Sequence, residues 1–405
     1  MHQTNFIVRE PLLDPKQQVI GYELSWQRAG MESDVPGDED LGALISYVAQ
    51  QLNDDEDGWL MGGAQLFLEA TPALMAGGAL EGLLPQQVVL VLNRVKLDSP
   101  DTIEAVKNAR AKGFGILLRN ANSRTPNKDL MSCVTHIEVR CGDADVAKLA
   151  KLYAALKHSS SVRMVASQVG SWQEYDTCAS LGLDAFVGKL HLTPREGYQP
   201  KGMNPSQALI MQLMDQVRKN ADVPHLESLL KRDAALSYKL LRYINSAGFG
   251  LRTEIHSLKH AVTLIGYSPL YRWLSLLLAT ASTTENAAVL MQTAIVRGRM
   301  AELLAQDKLP KADAENLFVT GMFSLLDRLL GIPMEEVLRH IQLSEPVTQA
   351  LQTREGPYGP YLALAEACEI RNGFAGALAN VLSLQPREVN GAHLAALAWS
   401  QSFTG

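Results

Sequence analysis

The sequence predicts two domains of different fold class, an α/β barrel over residues 1–198 and an all-α domain over residues 199–405. In the first range, short apolar strands alternate with amphipathic helical patterns, which is typical of a buried parallel sheet. Residues 193–206 hold three prolines and two glycines and mark the expected boundary. Beyond that stretch the strand patterns stop, and apolar residues recur at helical spacing.

The apolar runs of the first domain predict eight strands. We expect them at Phe6–Arg9, Val19–Leu24, Gln65–Ala70, Val88–Leu92, Gly115–Leu118, His136–Val139, Arg163–Ala166 and Ala185–Val187. The turn sequence at 14–17 predicts that the first two form a hairpin. Helical stripes run from Leu41 to Leu52 and from Val146 to Leu156. Eight strands favour a (β/α) barrel, although a doubly wound sheet fits the same pattern.

Composition and charge exclude several classes of protein. The 405 residues carry a net charge of -6, which argues against broad nucleic-acid binding. The four cysteines have no metal-ligand spacing and are expected to be reduced thiols in a cytoplasmic protein. The start of the chain lacks a signal-peptide pattern, and the most apolar run, 273–279, is too short to span a bilayer.

Mostly polar residues stand near or just after the ends of the predicted strands, where barrel enzymes place their chemistry. These positions are Glu23, Glu69, Leu90, Asn93, Arg94, Arg119, Asn120, Glu138, Arg140 and Ser167. No Gly-rich phosphate loop and no Ser/His/Asp set is present in the sequence. Carboxylates that could hold metals are few, and arginines stand among them. The acidic runs at 38–40 and 54–57 lack the alternating spacing of a calcium loop.

The stretch Gly21-Tyr22-Glu23-Leu24-Ser25-Trp26 resembles the opening motif of EAL domains, the cyclic di-GMP phosphodiesterases. The later segments at 112–118, 136–139, 165–166 and 181–186 follow the order of that family, so the resemblance covers most of residues 5–192. It implies a (β/α) barrel. Active members hydrolyse the phosphodiester with two divalent metals held by carboxylates.

At the positions of the family's functional residues, only the motif glutamate, Glu23, is kept. The substrate-contacting arginine falls at Gln27, the asparagine at Glu69, and the glutamate pair at Leu90 and Asn93. The aspartate pair falls at Arg119 and Asn120, and the Lys-x-Asp element at Glu138 to Arg140. The remaining glutamates fall at Ser167 and Gly170, and the glutamine at Val187. Leucine cannot replace an oxygen ligand of Mg²⁺, and an arginine repels a second cation.

The arginines admit two interpretations. Arg119 and Arg140 could contact the phosphates of a bound nucleotide, which would make the barrel a non-hydrolysing receptor. Alternatively, they pair with Glu23, Glu69 and Glu138 and fill the former metal site, which is the interpretation we favour.

The second domain is predicted to consist of helices alone. Apolar residues from Leu226 to Ile244 recur at helical spacing, and Asn245-Ser246 with Gly248 ends that pattern in a turn. Ser206, Asp222 and Ser257 are expected as helix caps. Further helices are expected near 270–279, 286–305, 313–330, 334–342, 346–352, 358–372 and 374–383.

Three segments of this domain resemble the HDOD domain, which is related to HD metal hydrolases but lacks their metal ligands and serves bacterial signalling as an interaction module. They are 231–237, 240–247 and 255–266. None of the nine histidines is followed by aspartate, and the pair His256 and His260 alone is a poor metal site. The segment 319–338 also resembles proteins that join an EAL-like half to an HDOD half.

These observations predict a catalytically inactive signal-transduction protein, not an enzyme, that works by binding other signalling proteins. We assign no catalytic, cofactor-binding or metal-ligating residue and expect no cofactor. We expect no membrane association, and the resemblance implies that a homodimer can form. An excess of Lys and Arg over acids between 224 and 300 leaves two further interpretations open, an acidic partner and a nucleic acid, beside an ordinary solvated face.

Overall fold

The computed structural model describes residues 5–28, 36–54, 63–93, 99–119, 128–141, 161–195, 202–245, 255–282, 286–341 and 343–402. The chain divides into two compact units. One comprises Met1–Glu196 together with Cys368–Gly376, and the other comprises Gly197–Ala367 with Ala377–Gly405. We call them the barrel unit and the helical unit.

Eight strands close into a barrel in sequence order, which confirms the predicted fold class and excludes the doubly wound sheet. The strands are β1 (Asn5–Leu13), β2 (Val19–Arg28), β3 (Gln65–Glu69), β4 (Val88–Leu92), β5 (Gly115–Leu118), β6 (His136–Arg140), β7 (Arg163–Ser167) and β8 (Ala185–Val187). All eight predicted strands are confirmed. β1 runs antiparallel to both β2 and β8, whereas the other neighbours are parallel.

The reversed first strand follows from the tight turn after β1. Asp14 accepts hydrogen bonds through Oδ1 from the backbone N–H groups of Lys16 and Gln18, each at 2.8 Å. Gln17 adopts the left-handed conformation, with φ of 61°. So short a connection can only join antiparallel strands, because a parallel pair needs a crossover of a dozen or more residues.

Apolar side chains fill the interior of the barrel. This cluster comprises Leu12, Phe67, Val89, Val91, Leu117, Val165 and Ala185, all buried. The helices of the barrel unit are α1 (Asp38–Asp54), α2 (Pro72–Ala76), α3 (Pro100–Ala111), α4 (Lys128–Met131) and α5 (Trp172–Ser180). The helix predicted from Val146 to Leu156 lies outside the described residues, as do Arg94, Asn120, Ser246 and Gly248.

The described part of the helical unit contains helices and no strand, as predicted. They are α6 (Pro205–Arg218), α7 (Val223–Leu230), α8 (Ala234–Ile244), α9 (Leu258–Ile265), α10 (Tyr267–Thr280), α11 (Ala287–Ala305), α12 (Lys311–Phe323), α13 (Leu326–Leu330), α14 (Met334–His340), α15 (Glu345–Thr353), α16 (Gly359–Ala367), α17 (Ala375–Val381) and α18 (Pro386–Gln401). Among the described residues, no helix combines the length and apolar character needed to cross a membrane.

The prediction of one continuous apolar helix between Leu226 and Ile244 is wrong, because the chain forms two helices there, α7 and α8. Asp233 accepts a hydrogen bond through Oδ1 from the backbone N–H of Leu236 at 2.9 Å, so it starts a new helix. Ser206 is not a helix cap but donates to Asp233 Oδ2 at 2.9 Å, and the cap of α6 is Asn204. The predicted helix 313–330 is likewise split, into α12 and α13, and α18 was not predicted.

Candidate functional site

The carboxyl ends of the strands bring three glutamates around one arginine. We call Glu23, Glu69 and Glu138 with Arg119 the arginine–carboxylate cluster. Arg119 Nη2 donates to Glu23 Oε1 at 2.9 Å and to Oε2 at 2.8 Å, and its Nε donates to Glu138 Oε2 at 2.8 Å. Its Nη1 lies 3.8 Å from Glu69 Oε2. The predicted pairing of Arg119 with all three carboxylates is confirmed.

The cluster is assembled by strands that are distant in sequence. Glu23 lies in β2, Glu69 ends β3, Arg119 follows β5 and Glu138 lies in β6. Gly21 permits the close approach of β2 to β3, since a Cβ there would meet the carbonyl oxygen of Gln65 at 2.5 Å. The resemblance motif thus has a glycine where the strands leave no room for a side chain.

The charged side chains of the cluster are largely buried, which strengthens the electrostatic interactions between them. The side chains of Arg119, Glu23 and Glu138 are 14%, 8% and 7% exposed. Burial disfavours the charged guanidinium of Arg119, but Glu23 and Glu138 outweigh it and hold its pKa above the ordinary value. Burial raises the pKa of Glu69, although Arg119 and a hydrogen bond from Asn93 Nδ2, at 3.4 Å, oppose it. One guanidinium therefore serves three carboxylates that compete for it.

A second arginine approaches one carboxylate of the cluster, Glu23, from a segment near the other end of the sequence. Arg371 lies in the segment 368–376, which belongs to the barrel unit. Its Nη2 is 3.7 Å from Glu23 Oε1, and its Nε is 3.9 Å from Glu10 Oε2. Burial raises the pKa of Glu10, and Arg371 opposes that rise. Sequence reasoning missed both Glu10 and Arg371, because their positions follow no family motif.

The segment 368–376 is held against the first two strands by further bonds. Arg9 donates from its backbone N–H to the carbonyl of Cys368 at 3.0 Å and from Nη2 to Glu369 Oε1 at 3.3 Å. Gln27, with its amide oriented to satisfy its neighbours, accepts from the backbone N–H groups of Asn372 and Gly373. Gln27, at the family's substrate-arginine position, thus binds this segment of the same chain.

The other predicted rim positions contribute little to the cluster. Leu90 is fully buried, and Val187 pairs with Leu12 between β8 and β1. Gly170 donates its N–H to Glu174 Oε2 at 2.7 Å at the start of α5. Among the described residues, Ser167 Oγ and Arg140 Nε are buried without a hydrogen-bond partner. Within the described ranges of the chain, no ion pair or hydrogen bond joins Arg140 to the three glutamates, so the pairing predicted for Arg140 is not found.

The histidine pair of the helical unit lies near the surface, with His256 exposed and His260 partly buried. The rings of His256 and His260 stack with centroids 6.3 Å apart, and Ser257 caps α9 by accepting from the backbone N–H of His260 at 3.1 Å, as predicted. Among the described residues, no group of three or more His, Cys, Asp or Glu side chains could hold a metal ion. Trp273 is buried.

Comparisons with known proteins address the helical unit first. Residues 204–336 match the HDOD domain family. They include the segments 231–237, 240–247 and 255–266, on which the HDOD resemblance rests. The chain joins an EAL-like barrel to an HDOD domain.

Two curated relatives align along nearly the whole of this EAL-HDOD chain. The cyclic di-GMP phosphodiesterase CdgJ of Vibrio cholerae is 25% identical over 90% of this chain and 85% of its own length. The uncharacterized protein YuxH of Bacillus subtilis is 24% identical over 98% of both chains. The solved structure of the PaMucR phosphodiesterase in complex with c-di-GMP is 14% identical, covers 46% of this chain and 94% of that one, and has a TM-score of 0.39. The barrel assignment rests on the strand pairing of this chain itself.

CdgJ overturns the prediction that this chain is not an enzyme. That prediction was drawn from missing metal ligands alone, whereas a relative aligned with 90% of the EAL-HDOD chain is named a phosphodiesterase. Loss of individual family residues is therefore not a sufficient reason to deny this chain an activity.

Proposed function

We propose that this EAL-HDOD protein works in cyclic di-GMP signalling and transmits its signal by binding other signalling proteins through the HDOD domain. Two findings support the proposal: the aligned relative CdgJ is named for cyclic di-GMP, and residues 204–336 match HDOD. The observation that carries it is the arginine–carboxylate cluster, in which Arg119 binds Glu23, Glu69 and Glu138.

The cluster supports a binding role because Arg119 already occupies carboxylate oxygens of Glu23 and Glu138 within the chain. Divalent metals in such sites are held by carboxylate oxygens. Here both oxygens of Glu23 accept from Arg119, and Glu138 Oε2 accepts from the same guanidinium. A fixed cation at that position repels an incoming metal. The barrel can thus stay folded without a metal and serve as a scaffold for the partner-binding surface.

The HDOD domain offers exposed apolar side chains of the kind that protein interfaces use. Tyr238 on α8 is 67% exposed, and Leu264 on α9 is 52% exposed. Aromatic residues are enriched at the centre of protein interfaces. Lysines and arginines outnumber acids between 224 and 300, which favours a partner with an acidic surface.

An affinity capture from native cells tests the partner-binding role with the full chain as bait. We expect a protein partner that is recovered by the wild type and lost by the Tyr238→Ser, Leu264→Ser double variant. Leu84→Ser is the matched control, because Leu84 is 43% exposed in the barrel unit. Equal recovery by all three baits would refute the assignment of the surface to the HDOD domain.

Hydrolysis of cyclic di-GMP is a second candidate function, and the name of CdgJ is the observation that favours it. It requires the carboxylates to release Arg119 and take up a divalent cation instead. The purified chain is incubated with cyclic di-GMP and Mg²⁺ or Mn²⁺, with Glu23→Gln as the control. Product from the wild type but not from Glu23→Gln would establish the phosphodiesterase. No product from a preparation that binds its partner would remove this candidate.

A further inference from the structure

Two cysteine sulfurs of the barrel unit lie in direct contact. Cys141 directly follows β6, and Cys178 lies on α5; their Sγ atoms are 3.1 Å apart. Both are free thiols. A disulfide bond has a sulfur–sulfur distance of about 2.05 Å. Closing the bond therefore requires the two atoms to approach by only about 1 Å, a shift within the reach of side-chain rotation.

The backbone on both sides holds this contact in place. Cys141 donates its N–H to the carbonyl of Ser167 at 3.0 Å, which anchors it to the end of β7. The carbonyl of Cys178 accepts from the N–H of Leu183 at 3.2 Å, at the end of α5. Cys178 packs in a buried cluster with Tyr175 and Phe186, whose rings are 4.2 Å apart. Cys141 is partly exposed, so an oxidant has a route to the pair.

The contact also activates Cys178 at the expense of Cys141, whose pKa the same contact raises. The hydrogen bond from the Cys141 thiol lowers the pKa of Cys178, against the opposing effect of burial. The thiolate is the reactive form of cysteine. The other two cysteines lack this arrangement: burial raises the pKa of Cys368 to about 12, and Cys133 lies 3.6 Å from the carbonyl oxygen of Asp129.

We propose that Cys141 and Cys178 form a reversible disulfide in response to a peroxide. The Cys178 thiolate attacks one peroxide oxygen and becomes a sulfenic acid as the oxygen–oxygen bond breaks; the other oxygen leaves as hydroxide and takes up the proton that the thiol released, which gives the first water. The second thiol attacks that sulfur, displaces its hydroxyl as the second water, and completes the sulfur–sulfur bond. Two thiols are oxidised by two electrons in total, and one hydrogen peroxide is reduced to two waters. A dithiol reductant reverses the reaction by exchange.

The modification adjoins the arginine–carboxylate cluster. Cys141 stands three residues after Glu138, whose Oε2 binds Arg119. A disulfide would tie the carboxyl end of β6 to α5 and so limit how far Glu138 can move. The redox state of the pair would then set how readily the cluster rearranges.

The test oxidises the full-length protein with hydrogen peroxide, alkylates the remaining thiols, and maps the digested peptides by mass spectrometry. We expect a linked peptide pair containing Cys141 and Cys178, lighter by two hydrogens than the reduced pair and lost on treatment with dithiothreitol. Alkylation should fall at these two cysteines together, while it stays unchanged at Cys133 and Cys368.

Three variants separate the proposal from unspecific oxidation. Cys133→Ser should form the same link as the wild type, so it is the matched control. Cys141→Ser should abolish the link and leave the Cys178 thiol trapped as a sulfenic acid by dimedone, and Cys178→Ala should abolish the link as well. A peroxide-treated wild type with both cysteines still alkylated, or with links to Cys133 or Cys368, would overturn the proposal.

Discussion

The two units contain buried charge clusters with opposite ratios of arginine to glutamate. In the barrel unit, one guanidinium, that of Arg119, serves three carboxylates. In the helical unit, Arg272 Nη2 and Arg299 Nη1 both donate to Oε2 of a single carboxylate, Glu302, at 2.9 and 2.7 Å. We call these three residues the Glu302 cluster. The barrel cluster is short of positive charge, and the Glu302 cluster is short of negative charge.

In each cluster, the pKa of one buried side chain is shifted toward its neutral form. Among the described residues, the Nε atoms of Arg272 and Arg299 are buried without hydrogen bonds, and burial lowers the pKa of Arg272 against the effect of Glu302. Aromatic faces supply part of the missing negative potential: Arg272 Cζ lies 3.9 Å from the ring centroid of Phe318 and 5.6 Å from that of Trp399. In the barrel cluster, burial raises the pKa of Glu69, and Arg119 and the hydrogen bond from Asn93 oppose that rise without cancelling it. Removing a carboxylate should therefore have opposite effects in the two places.

The largest expected effect is that of Arg119→Ala, which removes the cation shared by three glutamates. We expect the free energy of unfolding of the barrel unit to fall by about 3–5 kcal/mol, the range for breaking a buried ion pair by removing one partner. We also expect Mn²⁺ to raise the melting temperature of the variant more than that of the wild type, because the carboxylates become free ligands. Thermal unfolding with and without Mn²⁺ measures both effects.

The control for this metal effect is the double variant Arg119→Ala, Glu23→Gln. It should lose the Mn²⁺ response, since Glu23 is the glutamate that Arg119 binds through both oxygens. An equal Mn²⁺ response from the wild type and from Arg119→Ala would show that the guanidinium does not occupy the position of a cation.

Glu302→Gln tests the Glu302 cluster, in which two arginines share one carboxylate. It leaves Arg272 and Arg299 facing each other without their common carboxylate, and we expect a loss of about 2–3 kcal/mol in the free energy of unfolding. Chemical denaturation of the full chain, followed through Trp399 and the other tryptophans, measures it. Glu335→Gln, at a position on α14 for which no ion pair is found among the described residues, should change stability by less than about 0.5 kcal/mol. A neutral Glu302→Gln would mean that the aromatic rings suffice for both arginines.

The sequence predicted the barrel cluster better than the contacts that complete it. Glu69 and Arg119 stand at strand ends, Glu23 and Glu138 lie near the ends of the strands as predicted from sequence, and closure of a parallel barrel brings the carboxyl ends of its strands to one rim. Arg371 could not be found in this way. Its approach to Glu23 depends on the segment 368–376, which packs on β1 and β2 although it is distant from both strands in sequence. No periodicity within that segment encodes such a contact.

Helix boundaries show a similar limit. The helical spacing of apolar residues is the same before and after residues 231–233, yet the helix is interrupted there. Asp233 starts a new helix, because its side chain accepts hydrogen bonds from the N–H of Leu236 and the hydroxyl of Ser206. A helix cap competes with helix continuation through a single side chain, which periodicity does not detect. α18 was missed although it carries a capping box between Gln385 and Glu388, a signal that the sequence does contain.

Glu69→Gln should have the smallest effect and the opposite sign to Glu302→Gln. Because burial raises the pKa of Glu69 in the folded chain, the protonated form is favoured there, and its stabilisation is lost as the pH rises through the folded-state pKa. A neutral glutamine avoids that loss. We expect Glu69→Gln to raise the free energy of unfolding at pH 7 by less than about 1 kcal/mol, the range for partly exposed ion pairs. The gain should vanish below pH 4.5, the ordinary pKa of a glutamate, because Glu69 is then protonated in both the folded and the unfolded chain. Denaturation of both proteins across this pH range measures the difference, and destabilisation at pH 7 would show that Arg119 needs its third carboxylate.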